Sequence, residues 1–246
     1  MNYYGKTDIG KKRDENQDNF YISGLNDRLK LFVVADGMGG YNGGKAASDL
    51  AIRSIVEYIE NDFDKIKHEK EEIRKLIKSA ILYANFIIYE KSKEQTELEG
   101  MGTTIDVVLI YSGKIYIGHI GDSRVYRIRK NIVRQLTNDH SYVENLIKDG
   151  TITREESYSH PKKNMLIKAL GCTSYVEPDI MVKEFLKGDT LIMATDGLTN
   201  MLKDKDIFKI VEENQHDIEK ACNSLIELSN NSGGYDNITV VLISNN

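Results

Sequence analysis

Apolar residues follow two kinds of pattern along this chain of 246 residues. One is the short continuous run, seen best at 30–36, which is typical of a strand buried on both faces. The other is a repeat at helical spacing, which covers 46–59 and 73–88 and predicts a helix in each range. A buried strand followed by two amphipathic helices is therefore expected in the first part of the chain.

Later strands are predicted mainly as hairpins. Apolar runs at 103–110 and 114–120 flank a Ser112-Gly113 turn, and runs at 124–129 and 132–136 flank Lys130-Asn131. Three more strands are predicted at 180–185, 190–195 and 237–243, and two more helices at 205–213 and 218–228. Because the strands succeed one another rather than alternating with helices, the sequence predicts an α+β fold with antiparallel sheets and helices outside.

Residues 137–170 break this pattern, because they are polar and mixed, with a short helical piece at 142–148. Such a stretch is typical of a lid or flap rather than of a core. The chain shows no internal repeat or flexible linker, so residues 1–246 are expected to form a single domain with a flap at about 137–170.

Composition narrows the classes of partner. The net charge of −5, from 33 basic and 38 acidic residues, disfavours nucleic acid as the main partner. No apolar run approaches the roughly 20 residues that span a bilayer, and the start of the chain lacks the apolar segment of a secretory signal. Cys172 and Cys222 form no motif, and Cys222 is expected to be a buried thiol. These features predict a cytoplasmic protein.

Five aspartate motifs lie far apart, and each ends or follows an apolar strand-like run. They are Arg13–Asp18, Val33–Gly40, Gly121–Arg124, Met193–Gly197 and Gly234–Asn237. Carboxylates that converge at strand ends repel one another unless a cation lies between them, and Mg²⁺ and Mn²⁺ prefer oxygen ligands of this kind. The pattern predicts a metal centre, and the arginine in the first motif indicates a phosphate.

Each motif taken alone has a simpler interpretation. Asp-Gly pairs form ordinary turns, Asp122 could pair locally with Arg124, Asp236 could end a plain loop, and Arg13 could belong to a solvated basic run. Repetition of the motifs beside apolar strands favours the metal centre. The glycines after Asp36 match neither the P-loop nor the dinucleotide-binding pattern, so close backbone approach to a metal explains them better.

Other catalytic chemistries find no support in the sequence. The five histidines show no zinc spacing, and neither a Gly-x-Ser-x-Gly elbow nor a Cys-x5-Arg loop is present. Water activated by a metal is therefore favoured over a covalent nucleophile.

The motifs together resemble those of the metal-dependent Ser/Thr protein phosphatases of type 2C, the PPM family, and specifically its compact bacterial branch. They run in order over essentially the whole chain. They are Arg13-x-x-Asn16-Gln17-Asp18, Ala35–Gly40, Gly102-Thr103-Thr104, Gly118–Arg124, Asp139-His140-Ser141, Ala169-Leu170-Gly171, Thr195–Leu198 and Asp236–Val240.

The resemblance implies a central sandwich of two antiparallel sheets flanked by helix pairs, with two Mn²⁺ or Mg²⁺ ions at one end. It implies that Asp36 bridges the ions and that the Gly37 carbonyl, Asp196 and Asp236 complete the ligands. It further implies that Asp122 holds a third, weaker ion together with Asp196. Asp18 would hold metal-bound water molecules without binding an ion itself, and Arg13 would bind the substrate phosphate.

The implied reaction is hydrolysis of phosphoserine or phosphothreonine on proteins by a water that bridges two metal ions. No phosphoenzyme is expected. Met38 replaces a histidine that acts as candidate general acid in eukaryotic relatives, so the leaving group must be protonated by water or another group. Many bacterial relatives have a histidine where this chain has Tyr41, which affects substrate contacts rather than the metal site.

Phosphoprotein substrates and an opposing bacterial Ser/Thr kinase are the implied partners, and a monomer is the default. One alternative is a binding module that recognises phosphoproteins without turnover, but none of the matched ligands is lost. Another is a phosphatase of a partner-switching stress pathway, whose members usually carry an attached regulatory domain.

Overall fold

Two antiparallel sheets form the centre of this computed structural model, which describes residues 1–24, 28–40 and 43–245. The strands are β1 (Asn2–Asp8), β2 (Asp18–Ile22), β3 (Lys30–Met38), β4 (Gly102–Thr103), β5 (Ile105–Tyr111), β6 (Lys114–Ile120), β7 (Arg124–Arg129), β8 (Ile132–Gln135), β9 (Asp179–Glu184), β10 (Thr190–Ala194) and β11 (Ile238–Ser244). The helices are α1 (Gly43–Asp62), α2 (Lys70–Glu94), α3 (Tyr142–Lys148), α4 (Arg154–Ser157), α5 (Asp196–Thr199), α6 (Asp204–Glu213) and α7 (Ile218–Asn231).

Each sheet combines hairpins with strands from distant parts of the chain. The first sheet has the order β1-β11-β10-β7-β8, and the second has the order β2-β3-β5-β6-β9, with β4 added to β3. Every pairing of named strands is antiparallel, so the hairpins predicted from the sequence are confirmed.

Strand β3 shows why the chain folds into layers. Leu31 and Val33 pack among residues of α1 and α2, whereas Phe32 and Val34 pack between the two sheets. Successive side chains of a strand point to opposite faces, so burial on both faces requires a continuous apolar run. Fully burying each such side chain contributes about 1.5–3 kcal/mol to folding.

The outer faces of both sheets are covered by helices. Helices α1 and α2 cover the second sheet, and α6 and α7 cover the first, each with its own apolar cluster. A third cluster fills the space between the sheets. The predicted order of layers, helix, sheet, sheet and helix, is confirmed. Cys222 is fully buried on α7, as expected.

Two strands escaped the sequence analysis, and they are β1 and β2. Both lie at sheet edges and are only half buried, so neither carries a strong apolar run. The expectation that every aspartate motif ends or follows an apolar run is therefore wrong for Asp18, which begins β2 instead.

The flap region 137–170 is fixed at its two ends and exposed in its middle. Thr137, Asp139 and Ser141 are buried at one end and Leu170 at the other. Helices α3 and α4 lie between these ends. None of the helices in the described ranges has an apolar stretch of the length that crosses a bilayer.

Candidate metal centre

The predicted site residues gather at one end of the sandwich. Asp36 and Gly37 lie in the last three residues of β3, and Asp196 follows β10. Asp122 lies in the turn between β6 and β7, and Asp236 lies just before β11. All four aspartates, with Gly37 and Arg13, line one open cavity of about 990 Å³. Residues drawn from both sheets thus share a single cleft.

Asp18 lies behind this cleft and connects the two sheets. It faces Asp36 directly in the antiparallel register of β2 and β3. Its Oδ2 accepts hydrogen bonds from Thr195 Oγ1 at 2.8 Å and from Thr239 Oγ1 at 2.7 Å, both from the other sheet's side. Its Oδ1 is buried and has no hydrogen-bond partner in the described part of the chain. An acceptor left in this way is suited to a bound water or cation.

Asp36 is held by its backbone rather than by its carboxylate. Its N–H donates to Thr104 Oγ1 at 3.0 Å, and its carbonyl accepts from Thr103 Oγ1 at 2.9 Å and from the Thr104 N–H at 2.9 Å. The side chain is therefore left facing the cleft. Burial raises the pKa of Asp36 well above its ordinary value, and repulsion from Asp18 adds to the rise.

Asp196 begins the short helix α5 and lies close enough to interact with Asp36 and Asp236. Its Oδ2 accepts from Asn200 Nδ2 at 3.0 Å, whereas its Oδ1 is buried with no partner among the described residues. Burial raises the pKa of Asp196 to about 6, and the charge of Asp236 adds to the rise. Burial also raises the pKa of Asp18 to about 7, against the hydrogen bonds from its two threonines.

Arg13 contacts one of the predicted metal ligands. Its Nη2 donates to Asp236 Oδ2 at 2.7 Å, and the other oxygen of Asp236 accepts from the Asn237 N–H at 2.9 Å. The Arg13 side chain is still 55% exposed and lines the cleft. Since a guanidinium carries five N–H donors, one contact with Asp236 leaves donors for a phosphate.

Asn237 has a structural role that the sequence analysis did not assign. Its Oδ1 accepts from the Gln17 N–H at 2.9 Å, and its Nδ2 donates to the carbonyls of Ile9 and Glu15, both at 2.9 Å. One amide side chain thereby fastens the loop that carries Arg13. The only signal in the sequence was its position after Asp236.

The glycines after Asp36 and Asp196 are required by close packing of the backbone. A Cβ on Gly37 would lie 2.1 Å from the Gly44 carbonyl oxygen, and one on Gly197 would lie 1.9 Å from the Asn237 carbonyl oxygen. Both contacts are far shorter than real Cβ contacts, so any larger residue would push neighbouring segments of the site apart. The sequence predicts that the glycines after Asp36 allow close backbone approach to a metal; the structure shows a further reason, which is close contact between backbone segments.

Asp122 makes no ion pair with Arg124, contrary to one of the simpler interpretations. Arg124 instead donates hydrogen bonds from two of its nitrogens to Asp139, which lies in the mostly buried first residues of the flap, 137–141, called here the base of the flap. Burial raises the pKa of Asp122 well above its ordinary value, Asp196 and Asp139 raise it further, and Arg124 opposes them.

The flap borders the same cleft. Asn164 and Leu166 of the flap line the cavity together with Met38 and Arg13. Tyr41, the second departure from the family pattern, lies outside the described residues.

The cleft suits divalent cations that keep part of their water. Within residues 1–24, 28–40 and 43–245, no three Asp, Glu, His or Cys side chains converge on one point closely enough to hold an ion by themselves. Yet the pKa of four carboxylates in or directly behind the cleft is raised, and the Oδ1 atoms of Asp18 and Asp196 are buried without hydrogen-bond partners among the described residues. Mg²⁺ and similar ions commonly take one or two carboxylates and several waters, so few protein ligands per ion are sufficient. This arrangement is typical of a divalent-cation centre that acts on a phosphate.

Comparisons with known proteins agree with this class. The family model described as "Protein phosphatase 2C" matches residues 10–230. The chain is 36% identical to the serine/threonine phosphatase stp of Listeria innocua over 241 residues, which cover 98% of this chain and 94% of the relative. The chain therefore belongs to the protein phosphatase 2C family.

Solved structures show the same fold. The serine/threonine phosphatase of S. agalactiae superposes with a TM-score of 0.91 at 37% identity, over 100% of this chain and 99% of that one. The catalytic domain of the serine threonine protein phosphatase PstP, in complex with two manganese ions, superposes with a TM-score of 0.85 at 31% identity, over 98% of this chain and 96% of that one.

Proposed function

We propose that this protein is a metal-dependent phosphatase that hydrolyses phosphoserine and phosphothreonine on proteins. One observation carries the proposal: Asp36, Asp122, Asp196 and Asp236 line a single cleft together with Arg13. Family membership supports the reaction class, and the relative with two manganese ions supports the cofactor.

Two Mn²⁺ or Mg²⁺ ions fit the ligands that the cleft offers. Asp36 would bridge them, the Gly37 carbonyl would bind one, and Asp196 and Asp236 would complete the other. When bound, such ions lower the pKa of a shared water and neutralise phosphate charge. A third, weaker ion is proposed at Asp122 and Asp196.

The protein's own residues would orient the reactants. Arg13 would bind the phosphate oxygens with the N–H donors that its contact with Asp236 leaves over. Asp18, facing Asp36 across β2 and β3, would accept hydrogen bonds from ordered water at its unpartnered oxygen. Met38 lines the cleft but cannot donate a proton, so the leaving oxygen would be protonated by water or another group.

The wider setting follows from the same proposal. Residues 1–246 would form one catalytic domain with its flap at about 137–170, active as a monomer. Both cysteines are free, which fits a reducing cytoplasm. Phosphoproteins would be the substrates, and a Ser/Thr kinase would supply the phosphate.

The test is hydrolysis of a phosphothreonine peptide with Mn²⁺, with EDTA, and by the variant Asp36→Asn. We expect Mn²⁺-dependent turnover that EDTA abolishes. The variant should lose about 100-fold or more, because metal charge stabilisation is worth several kcal/mol and each 1.36 kcal/mol is a factor of ten. Asp64→Asn, at an exposed carboxylate paired with Arg28, is the control. Peptide binding without turnover in the wild type would refute the enzyme and favour a binding module.

A further inference from the structure

The turn that carries Asp122 is bonded along its length to the base of the flap. Gly121 and His140 are bonded in both directions, since the His140 N–H donates to the Gly121 carbonyl at 2.7 Å and the Gly121 N–H donates to His140 Nδ1 at 3.1 Å. Four residues after Gly121, the Val125 N–H donates to Thr137 Oγ1 at 3.1 Å. The turn and the flap base therefore form one connected unit.

The strongest of these contacts joins Arg124 to Asp139. Arg124 Nε donates to Asp139 Oδ1 at 3.0 Å, and Nη2 donates to Oδ2 at 2.7 Å. Gln135 Nε2 adds a hydrogen bond to Oδ1 at 2.8 Å, and Tyr126 Oη accepts from Arg124 Nη1 at 3.1 Å. The side chains of the pair are only 18% and 8% exposed. A fork-to-fork contact of this kind fixes orientation as well as charge.

This pair links the turn that carries Asp122 to the flap, because Arg124 directly follows that turn and Asp139 lies near the start of the flap. A small cavity of about 90 Å³ is lined by Asp122 and Asp196 and also by Glu144 and Arg154 of the flap helices. Arg124 and Asp139 line it as well. Any displacement of the flap base therefore changes the surroundings of both carboxylates.

We propose that Arg124 is a positioning residue that couples binding of a cation at Asp122 and Asp196 to ordering of the flap. The inference rests on the proposed function, because it needs an ion at these two carboxylates. By holding Asp139, Arg124 fixes the start of the flap relative to the turn that presents Asp122. Coupling of this kind acts in both directions, so binding of the ion orders the flap, and an ordered flap raises the affinity for the ion.

The competing explanation is that the pair only stabilises the fold, as many buried ion pairs do. The chain offers a matched control at the other end of β7, about 17 Å away at the usual rise per residue of a strand. Arg129 Nε and Nη2 donate to the two oxygens of Asp189 at 2.6 Å each, and the side chains are 26% and 1% exposed. This pair has the same chemistry and the same strand, but its contacts lie away from the cleft.

The experiment compares Arg124→Lys, Arg129→Lys and the wild type. Lysine keeps the charge and loses the fork, so the comparison isolates geometry. Mn²⁺ titration followed by the EPR signal of the free ion counts tight and weak sites. Hydrogen exchange measures protection of residues 142–168 with and without saturating Mn²⁺. For Arg124→Lys we expect two unchanged tight ions, a weak ion bound about tenfold less tightly, and loss of the Mn²⁺-dependent protection of the flap. Arg129→Lys should retain both.

If Arg124→Lys and Arg129→Lys had equal effects on the weak ion and on protection of the flap, the coupling would be refuted. The pair of Arg124 and Asp139 would then only stabilise the fold. The coupling would also be refuted by a wild type that binds two tight ions and turns over peptide but shows no weak ion. A wild type that neither binds Mn²⁺ nor turns over would overturn the proposed function, and the coupling with it. Should Arg124→Lys fail to fold, Asp139→Asn against Asp189→Asn gives the same matched comparison, with the charge rather than the fork removed.

Discussion

Replacing Asp196 by asparagine is expected to stabilise the protein in EDTA and to abolish its stabilisation by Mn²⁺. Burial and the charge of Asp236 raise the pKa of Asp196 from 3.8 to about 6. At 1.36 kcal/mol per unit of pKa, keeping this group ionised in the folded protein costs about 3 kcal/mol at neutral pH. Asparagine removes that cost while its carbonyl oxygen can still accept the hydrogen bond from Asn200.

The sign of the pH dependence follows from the higher pKa in the folded state. The folded protein holds this proton more tightly than the unfolded chain does. The stability associated with protonated Asp196 is therefore complete below pH 3.8 and is lost as the pH rises through about 6. The advantage of the asparagine variant should be largest above pH 6 and should shrink towards pH 4.

Thermal unfolding followed by circular dichroism measures both effects. For a chain of this size about 3 kcal/mol corresponds to roughly 6–12 °C in Tm, which should be seen in EDTA at pH 7.5. Added Mn²⁺ should raise the Tm of the wild type by mass action but not that of the variant. Asp64→Asn should change Tm little in either buffer, because exposed pairs contribute at most about 1 kcal/mol. A variant no more stable than the wild type in EDTA would show that the clustered carboxylates do not destabilise the metal-free fold.

Three further results are expected. Mn²⁺ affinity measured by calorimetry should fall between pH 8 and pH 6, because Asp196, which would bind the ion, and Asp18, which would accept hydrogen bonds from its water, have pKa values raised to about 6 and about 7 and become protonated in this range; an unchanged affinity would place the ion elsewhere. Arg13→Lys should raise KM for a phosphopeptide about tenfold in steady-state kinetics, because lysine lacks the fork that binds two oxygens; an unchanged KM would exclude phosphate binding. Asn237→Ala should lower the free energy of unfolding by about 2–4 kcal/mol in urea titrations, since three backbone partners lose their bond; a loss below about 0.5 kcal/mol would mean that water replaces the amide.

How far the fold could be predicted depended on burial. Strand β3 was evident because helices cover one of its faces and the other sheet covers the second, so nearly every position is apolar. Strand β1 was missed because it is half buried and contains Gly5. A Cβ on Gly5 would lie 2.6 Å from Ile22 Cδ1 and 3.0 Å from Val241 Cγ2, so a larger residue would require these side chains to shift where the two sheets approach. A glycine in a mixed sequence predicts a turn more readily than a strand, and only the partner strand shows otherwise.

Site residues could be predicted where neighbouring residues in the sequence form a recognisable motif. Carboxylates beside glycines stand out, which is why Asp36 and Asp196 were found. Thr195 and Thr239 were not, because threonine is an ordinary strand residue and its role depends on a partner, Asp18, that is 177 and 221 positions away. The pairing of Arg124 with Asp139 was hidden for a different reason, because the nearer carboxylate, Asp122, offered a simpler local partner.

These hidden contacts explain why the carboxylates lie where two sheets meet. Asp18 belongs to one sheet, and the threonine hydroxyls that hold it come from β11 of the other sheet and from the residue directly after its β10. Val34 and Met193, which precede Asp36 by two positions and Asp196 by three, both belong to the apolar cluster between the sheets. The distance between the two carboxylates is therefore set by the packing of this middle layer, which is close-packed and resists compression. Side chains held in this way stay in place despite their mutual repulsion, because separating them would require the sheets to separate.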